Sequence, residues 1–156
     1  MDISLLIQSS IRQLDVIAKA SDISILVHVA PEMPMMRGDK RVLIQILNNL
    51  LSNAVQFTSH GGRVDVFAEV DRQNCIVLGV SDTGEGMSHD DIAKALKPFE
   101  QADSTRPARG EGTGLGLHLC AEFMKLFDGT LEIESETGKG TTVTLRFPPK
   151  RTINPY

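Results

Sequence analysis

Apolar positions along this chain switch repeatedly between a helical and a strand-like period. Ile7, Ile11, Leu14 and Ala18 recur at helical spacing, which predicts an amphipathic helix over residues 3–20. Ile23, Ile25, Val27 and Val29 then alternate with more polar neighbours, as in a half-buried strand. Pro31 and Pro34 interrupt the pattern, so 30–38 reads as a loop. Residues 39–58 carry no Pro or Gly and predict a long helix. After the turn at His60-Gly61-Gly62, Val64, Val66, Ala68 and Val70 mark one face of a strand, and 71–74 reads as a turn. The run from Cys75 to Val80 is almost continuously apolar, as in a central strand covered on both faces. Ser88 with Asp91 resembles a capping box for a short helix. Residues 98–112 hold two prolines, two glycines and few large apolar residues, which predicts a mobile loop. Leu115, Leu119, Phe123 and Leu126 mark a further helix ended by Asp128-Gly129, and 131–135 with 141–147 form a hairpin around Gly138. Residues 148–156 read as loose. The domain is therefore placed at 1–150, with a flexible tail at 151–156. Three long helices and five strands, partly in hairpins, predict an α+β two-layer sandwich with no doubly wound sheet.

Composition narrows the function. At 156 residues the chain is one domain with room for a substantial core. A net charge of −4 gives no support to binding nucleic acid or an anionic membrane. No apolar run approaches spanning length, and the first residues lack the basic start of a signal peptide, so a cytoplasmic location is expected. Cys75 and Cys120 both fall in apolar runs and read as buried free thiols.

Three motifs carry candidate chemistry. In the helix over 39–58, Val42, Ile46, Asn49, Asn53 and Gln56 share one stripe, beside a wholly apolar stripe of Leu43, Leu47, Leu50, Ala54 and Phe57. Amides bordering an apolar face must find partners, because an unsatisfied buried amide costs about 1–3 kcal/mol. Those partners are either neighbouring loops or a ligand. In the second case Asn53 offers a hard oxygen to Mg²⁺, and Asn49, one turn earlier, reaches the same metal or phosphates. Asp82 ends a buried strand and opens Asp82-Thr83-Gly84-Glu85-Gly86-Met87. It is either a turn-starting Asp or an acceptor-only group aimed at the 6-amino group of adenine, where guanine would present a repelling oxo group. Gly84 and Gly86 let the backbone pass close to a purine. Gly112-Thr113-Gly114-Leu115-Gly116-Leu117 runs straight into a helix, an arrangement that suits an anion at the helix N-terminus. It lacks the G-x-G-x-x-G spacing of a dinucleotide fold, and Gly138-Lys139-Gly140 is not a P-loop. Arg106 and Arg109 precede it, within reach of a γ-phosphate on the same reading. The four histidines show no metal spacing.

In this order and at these intervals, the motifs resemble the catalytic ATP-binding domain of bacterial sensor histidine kinases. These domains share a superfamily with type II topoisomerases, the ninety-kilodalton heat-shock chaperone and mismatch-repair ATPases. Residues 49–54 look like the N box, Asp82 to Met87 like the first glycine box, Pro98-Phe99-Glu100-Gln101 like the F box and Gly112 to Leu117 like the second glycine box. Gly138-Lys139-Gly140-Thr141-Thr142 looks like the closing strand, which places Thr142 near adenine. The likeness covers about 2–148. It implies a mixed five-stranded sheet over three helices, with ATP under a lid spanning roughly 98–113. It also implies Mg²⁺ on Asn53, adenine on Asp82, and phosphates backed by Gly114 and Gly116. By the same likeness Met87 and Phe99, which fall in these boxes, and Gln56 and Phe57, which follow the N box, are expected at the nucleotide.

One position separates branches of the superfamily. Hydrolysing members carry a Glu one turn before the metal Asn, as a base for water. Here that residue is Asn49, which cannot take a proton at neutral pH. The chain thus looks built to hold ATP for an outside nucleophile. Two departures stand against the pattern. Gln56 replaces the Lys common three residues after the metal Asn, which shifts phosphate attraction to Arg106 or Arg109 and keeps a regulatory pseudokinase as an alternative. None of the histidines has the surroundings of a phosphoacceptor. The partners implied are a histidine-bearing dimerisation domain of the same parent protein and a downstream response regulator. No nucleic-acid or direct membrane contact is expected, and the domain alone is expected to be a monomer that does not phosphorylate itself. A superfamily ATPase is the remaining reading, disfavoured by Asn49.

Overall fold

A computed structural model describes residues 1–97 and 116–153. The elements in chain order are α1 (Ile3–Ala20), β1 (Ser24–Val29), β2 (Met35–Met36), α2 (Lys40–Phe57), β3 (Arg63–Val70), β4 (Ile76–Asp82), α3 (His89–Ala95), α4 (Gly116–Leu126), β5 (Thr130–Glu136), β6 (Gly140–Phe147) and β7 (Thr152–Ile153). Five strands form one mixed sheet in the order β1-β3-β4-β6-β5. β1 lies parallel to β3, and the other three pairings are antiparallel. This is the expected α+β sandwich, with a short α3 added to the three long helices.

Local chemistry sets the helix ends. Asp39 caps α2, its carboxylate accepting from the Arg41 N–H at 2.9 Å, and at the other end the Thr58 hydroxyl donates to the Ala54 carbonyl at 2.6 Å. Ser88 caps α3 by accepting from the Asp91 N–H. The core lies between the helices and one sheet face. Leu43, Leu47 and Leu50 of α2 meet Val64, Val66, Leu78, Val80 and Leu145, and Phe127 packs edge-on against Phe147 at 5.3 Å.

The other sheet face carries no helical layer among the described residues, yet Ile76 to Val80 of β4 are buried on both sides, as the continuous apolar run predicts. The Phe67 ring lies across Gly79, where any Cβ would collide with it, and Val77 is buried on the same side. One large side chain over one glycine does the covering.

The region expected to be loose beyond residue 147 is also ordered as far as 153. Pro149–Arg151 form a 3₁₀ turn and β7 pairs antiparallel with β2. Arg151 holds this end down: its guanidinium donates to the carbonyls of Phe127 and Leu126 and pairs with Asp128. These groups meet the carbonyl end of α4, where cationic donors are favoured. Residues 154–156 lie outside the described chain.

Candidate functional site

The C-terminal half of α2, the end of β4, the β5–β6 hairpin and the first turn of α4 converge at one end of the sandwich. Asp82 is the last residue of β4 and is half-buried. Its Oδ1 accepts from the Gly84 N–H at 2.9 Å and from the Thr141 N–H at 3.3 Å. Oδ2 makes neither of these bonds. Burial raises the Asp82 pKa above the ordinary carboxylate value, and the two N–H donors offset part of that rise.

The glycines of the turn are sterically required. Gly84 is pressed against the Phe57 carbonyl, and a Cβ there would also lie 2.8 Å from the Asp82 carboxylate. Gly86 has φ +72° and sits against the Glu136 carbonyl. Gly140 has φ +105° and sits against the Asp82 carbonyl. The turn is stitched to the hairpin by Gly138 N–H donating to the Glu85 carbonyl at 2.7 Å and Met87 N–H donating to Ser135 Oγ at 2.7 Å. Gly140→Ala therefore places a methyl group into the Asp82 backbone in a left-handed conformation. We expect it to cost about 3 kcal/mol in denaturant unfolding.

Strand register corrects one expected contact. Asp82 pairs with Thr141, and Ser81 pairs with Thr142. Side chains alternate along a strand. Thr141 therefore shares the helix-facing side with Asp82, while the Thr142 hydroxyl meets Ser81 Oγ at 2.8 Å on the opposite face. Thr142 is not brought to Asp82; its neighbour is.

On the neighbouring α2, Asn49 and Asn53 are both half-buried. Gly116 packs on the Asn53 amide: a Cβ there would lie 3.2 Å from Nδ2 and 3.9 Å from Oδ1. The Asn49 amide lies beside the Cys120 thiol of α4, which donates to the Ile46 carbonyl at 3.8 Å. Burial pushes that thiol up to about 12, with the Asn49 amide acting the other way, so Cys120 is an inert structural group. Both cysteines are free and buried, as expected. His118 in the first turn of α4 bonds the Leu96 carbonyl at 3.1 Å and ties α4 to the end of α3. Leu117 packs on the core, and Gln56 lies on the exposed side of α2. Phe99, Arg106, Arg109, Gly112, Thr113, Gly114 and Leu115 lie outside the described residues.

A nucleotide fits this arrangement, since a half-buried acceptor flanked by glycines lies at the same end of the sandwich as a pair of amides beside a helix start. Among the described residues no cluster of three or more His, Cys, Asp or Glu could hold a metal. Asn53 therefore suits Mg²⁺ only in company with phosphate oxygens, which is how Mg²⁺ is commonly bound. Among the described residues no helix is long and apolar enough to cross a membrane.

Comparison with known proteins agrees with this geometry. The chain is 44% identical over 121 residues to the non-motile and phage-resistance protein of Caulobacter vibrioides, covering 76% of this chain and 14% of that protein. It is 40% identical over 129 residues to the cell-division control histidine kinase PdhS of Brucella canis, covering 78% of this chain and 12% of the relative. The chain thus spans about an eighth of the length of these curated relatives. Among solved structures, full-length ShkA in complex with AMPPNP superposes with a TM-score of 0.83 at 28% identity, over 95% of this chain and 30% of that one. The catalytic domain of the histidine kinase ThkA gives 0.82 at 21% identity over 97% and 96% of the two chains, a likeness of fold. The family model for histidine kinase-, DNA gyrase B- and HSP90-like ATPases matches residues 38–151, and the chain belongs to that family.

Proposed function

We propose that this domain binds Mg·ATP and presents its γ-phosphoryl group to a histidine on a separate dimerisation domain, in two-component signalling. The observation that carries the reading is Asp82, anchored through Oδ1 by two backbone N–H groups in a glycine-walled turn at the end of the sandwich that also holds Asn53.

Each residue has a task on this reading. Asp82 accepts from the adenine 6-amino group through the oxygen that the backbone leaves over. Thr141, on the same face, supplies a hydroxyl beside it. Asn53 offers an oxygen to Mg²⁺, and Gly116 allows phosphate to approach the start of α4. Bound Mg²⁺ neutralises charge on the triphosphate. Asn49 lies beside Cys120 and cannot take a proton from water, so nothing on α2 serves as a hydrolytic base. Catalysis then comes from positioning and electrostatics, with the nucleophile delivered by the partner. Relatives named as histidine kinases favour transfer over purely regulatory nucleotide binding. The response regulator downstream, the monomeric state of the isolated domain and its cytoplasmic location belong to the same proposal.

Titration calorimetry tests the site. ATP and ADP are expected to bind, and Mg²⁺ is expected to strengthen ATP more than ADP. Absence of binding by the wild-type domain would remove the reading.

A further inference from the structure

Ser135 belongs to no nucleotide-binding motif of the chain, and its role rests on the adenine reading of Asp82. Asp82, Thr141 and Ser135 occupy one row across β4, β6 and β5, through the pairings Asp82↔Thr141 and Ser135↔Thr141. Ser135 Oγ has three partners. It accepts from the Met87 N–H at 2.7 Å, donates to the Gly140 carbonyl at 3.0 Å and meets Thr141 Oγ1 at 2.8 Å.

A serine hydroxyl has one hydrogen and two lone pairs. The Met87 N–H can only donate and the Gly140 carbonyl can only accept. With the Ser135 hydrogen on the Gly140 carbonyl and one lone pair taken by the Met87 N–H, the remaining lone pair receives the hydrogen of Thr141. Hydroxyl hydrogens follow from completing the network in this way. Thr141 is left with lone pairs alone for anything else that approaches. Its oxygen joins Asp82 in a surface that accepts hydrogen bonds and offers none.

We infer that Ser135 is a positioning residue for base selectivity: by taking the Thr141 hydrogen, it makes the base site acceptor-only. Such a surface suits the 6-amino group of adenine, directly or through a water that donates to both oxygens. It rejects the 6-oxo group of guanine. Without Ser135, the Thr141 hydroxyl is free to rotate and donate to that oxo group.

The test is the ratio of GTP to ATP dissociation constants, measured by calorimetry for wild type, Ser135→Ala, Ser135→Thr and Thr141→Val. Wild type is expected to prefer ATP strongly. Ser135→Ala should lower the preference about tenfold, the effect of one misassigned hydrogen bond. Ser135→Thr keeps the hydroxyl and should stay within about threefold of wild type. Thr141→Val removes the acceptor and should also lower the preference, through weaker ATP binding alone, and this is readable even if Ser135→Ala does not fold. Equal weakening of ATP and GTP by Ser135→Ala, or an unchanged ratio in Thr141→Val, overturns the inference and leaves the adenine site intact. A wild-type domain that binds ATP and GTP alike overturns the adenine reading itself.

Discussion

Asp82→Asn should lower ATP affinity by at least about a hundredfold and make the folded domain more stable at neutral pH. The two effects have one cause. In the wild type, Oδ1 is held by the N–H groups of Gly84 and Thr141. An asparagine must answer those donors with its only oxygen, so its NH₂ takes the place of Oδ2. A donor then faces the adenine amino group, and both lose their partner. The same NH₂ suits the guanine oxo group, so the preference for ATP over GTP should collapse. Stability moves the other way because burial raises the Asp82 pKa. A raised carboxylate stabilises the fold below its unfolded value, and this contribution is lost as pH rises through the folded value. At neutral pH the charge is a net cost, which the amide removes. Calorimetry with both nucleotides and a thermal melt across pH read the two effects. A variant that binds ATP normally would show that Asp82 only builds the turn.

Asn53→Ala is expected to separate nucleotide binding from phosphate chemistry. The Asn53 amide lies against Gly116 at the start of α4 and far in sequence from Asp82. Its loss should leave base recognition in place. Affinity measured without Mg²⁺ should change less than threefold, whereas the gain in affinity on adding Mg²⁺ should largely disappear. Phosphoryl transfer to a histidine acceptor should fall about a thousandfold, the size of effect seen when one preorganised electrostatic group is removed. The side chain is half-buried and outside the apolar core, so the melting temperature should move by only a few degrees. If Mg²⁺ strengthens ATP binding equally in variant and wild type, the metal is held elsewhere.

Much of this was legible locally. Asp39, Thr58 and Ser88 announce helix ends because caps are made by neighbours in sequence. The apolar stripe of α2 and the alternation of β3 announce which faces are buried. Even the Thr141 assignment is present in the pattern: Val143, Leu145 and Phe147 are buried, and counting back by two reaches Thr141, with Thr142 on the other face. What escaped depends on residues far apart in the chain. The β2 and β7 strands have two residues each, too few to show a period, and they exist because 35–36 and 152–153 pair. Arg151 reads as a surface cation until the carbonyl end of α4 is placed beneath it. Likewise Cys120 comes to lie beside Asn49 only once α2 and α4 are packed. The segment expected to face phosphate, 98–115, lies outside the described residues.

The central claim is that ATP is held here for another domain's histidine and not for water. The most direct test supplies γ-labelled ATP and Mg²⁺ to this domain, with and without the histidine-bearing helical hairpin proposed as its partner. The account predicts acid-labile label on the hairpin histidine, lost with Asp82→Asn, and negligible phosphate release by the domain alone. Steady phosphate release without the hairpin, or no label on the hairpin from a domain that binds ATP, would contradict it.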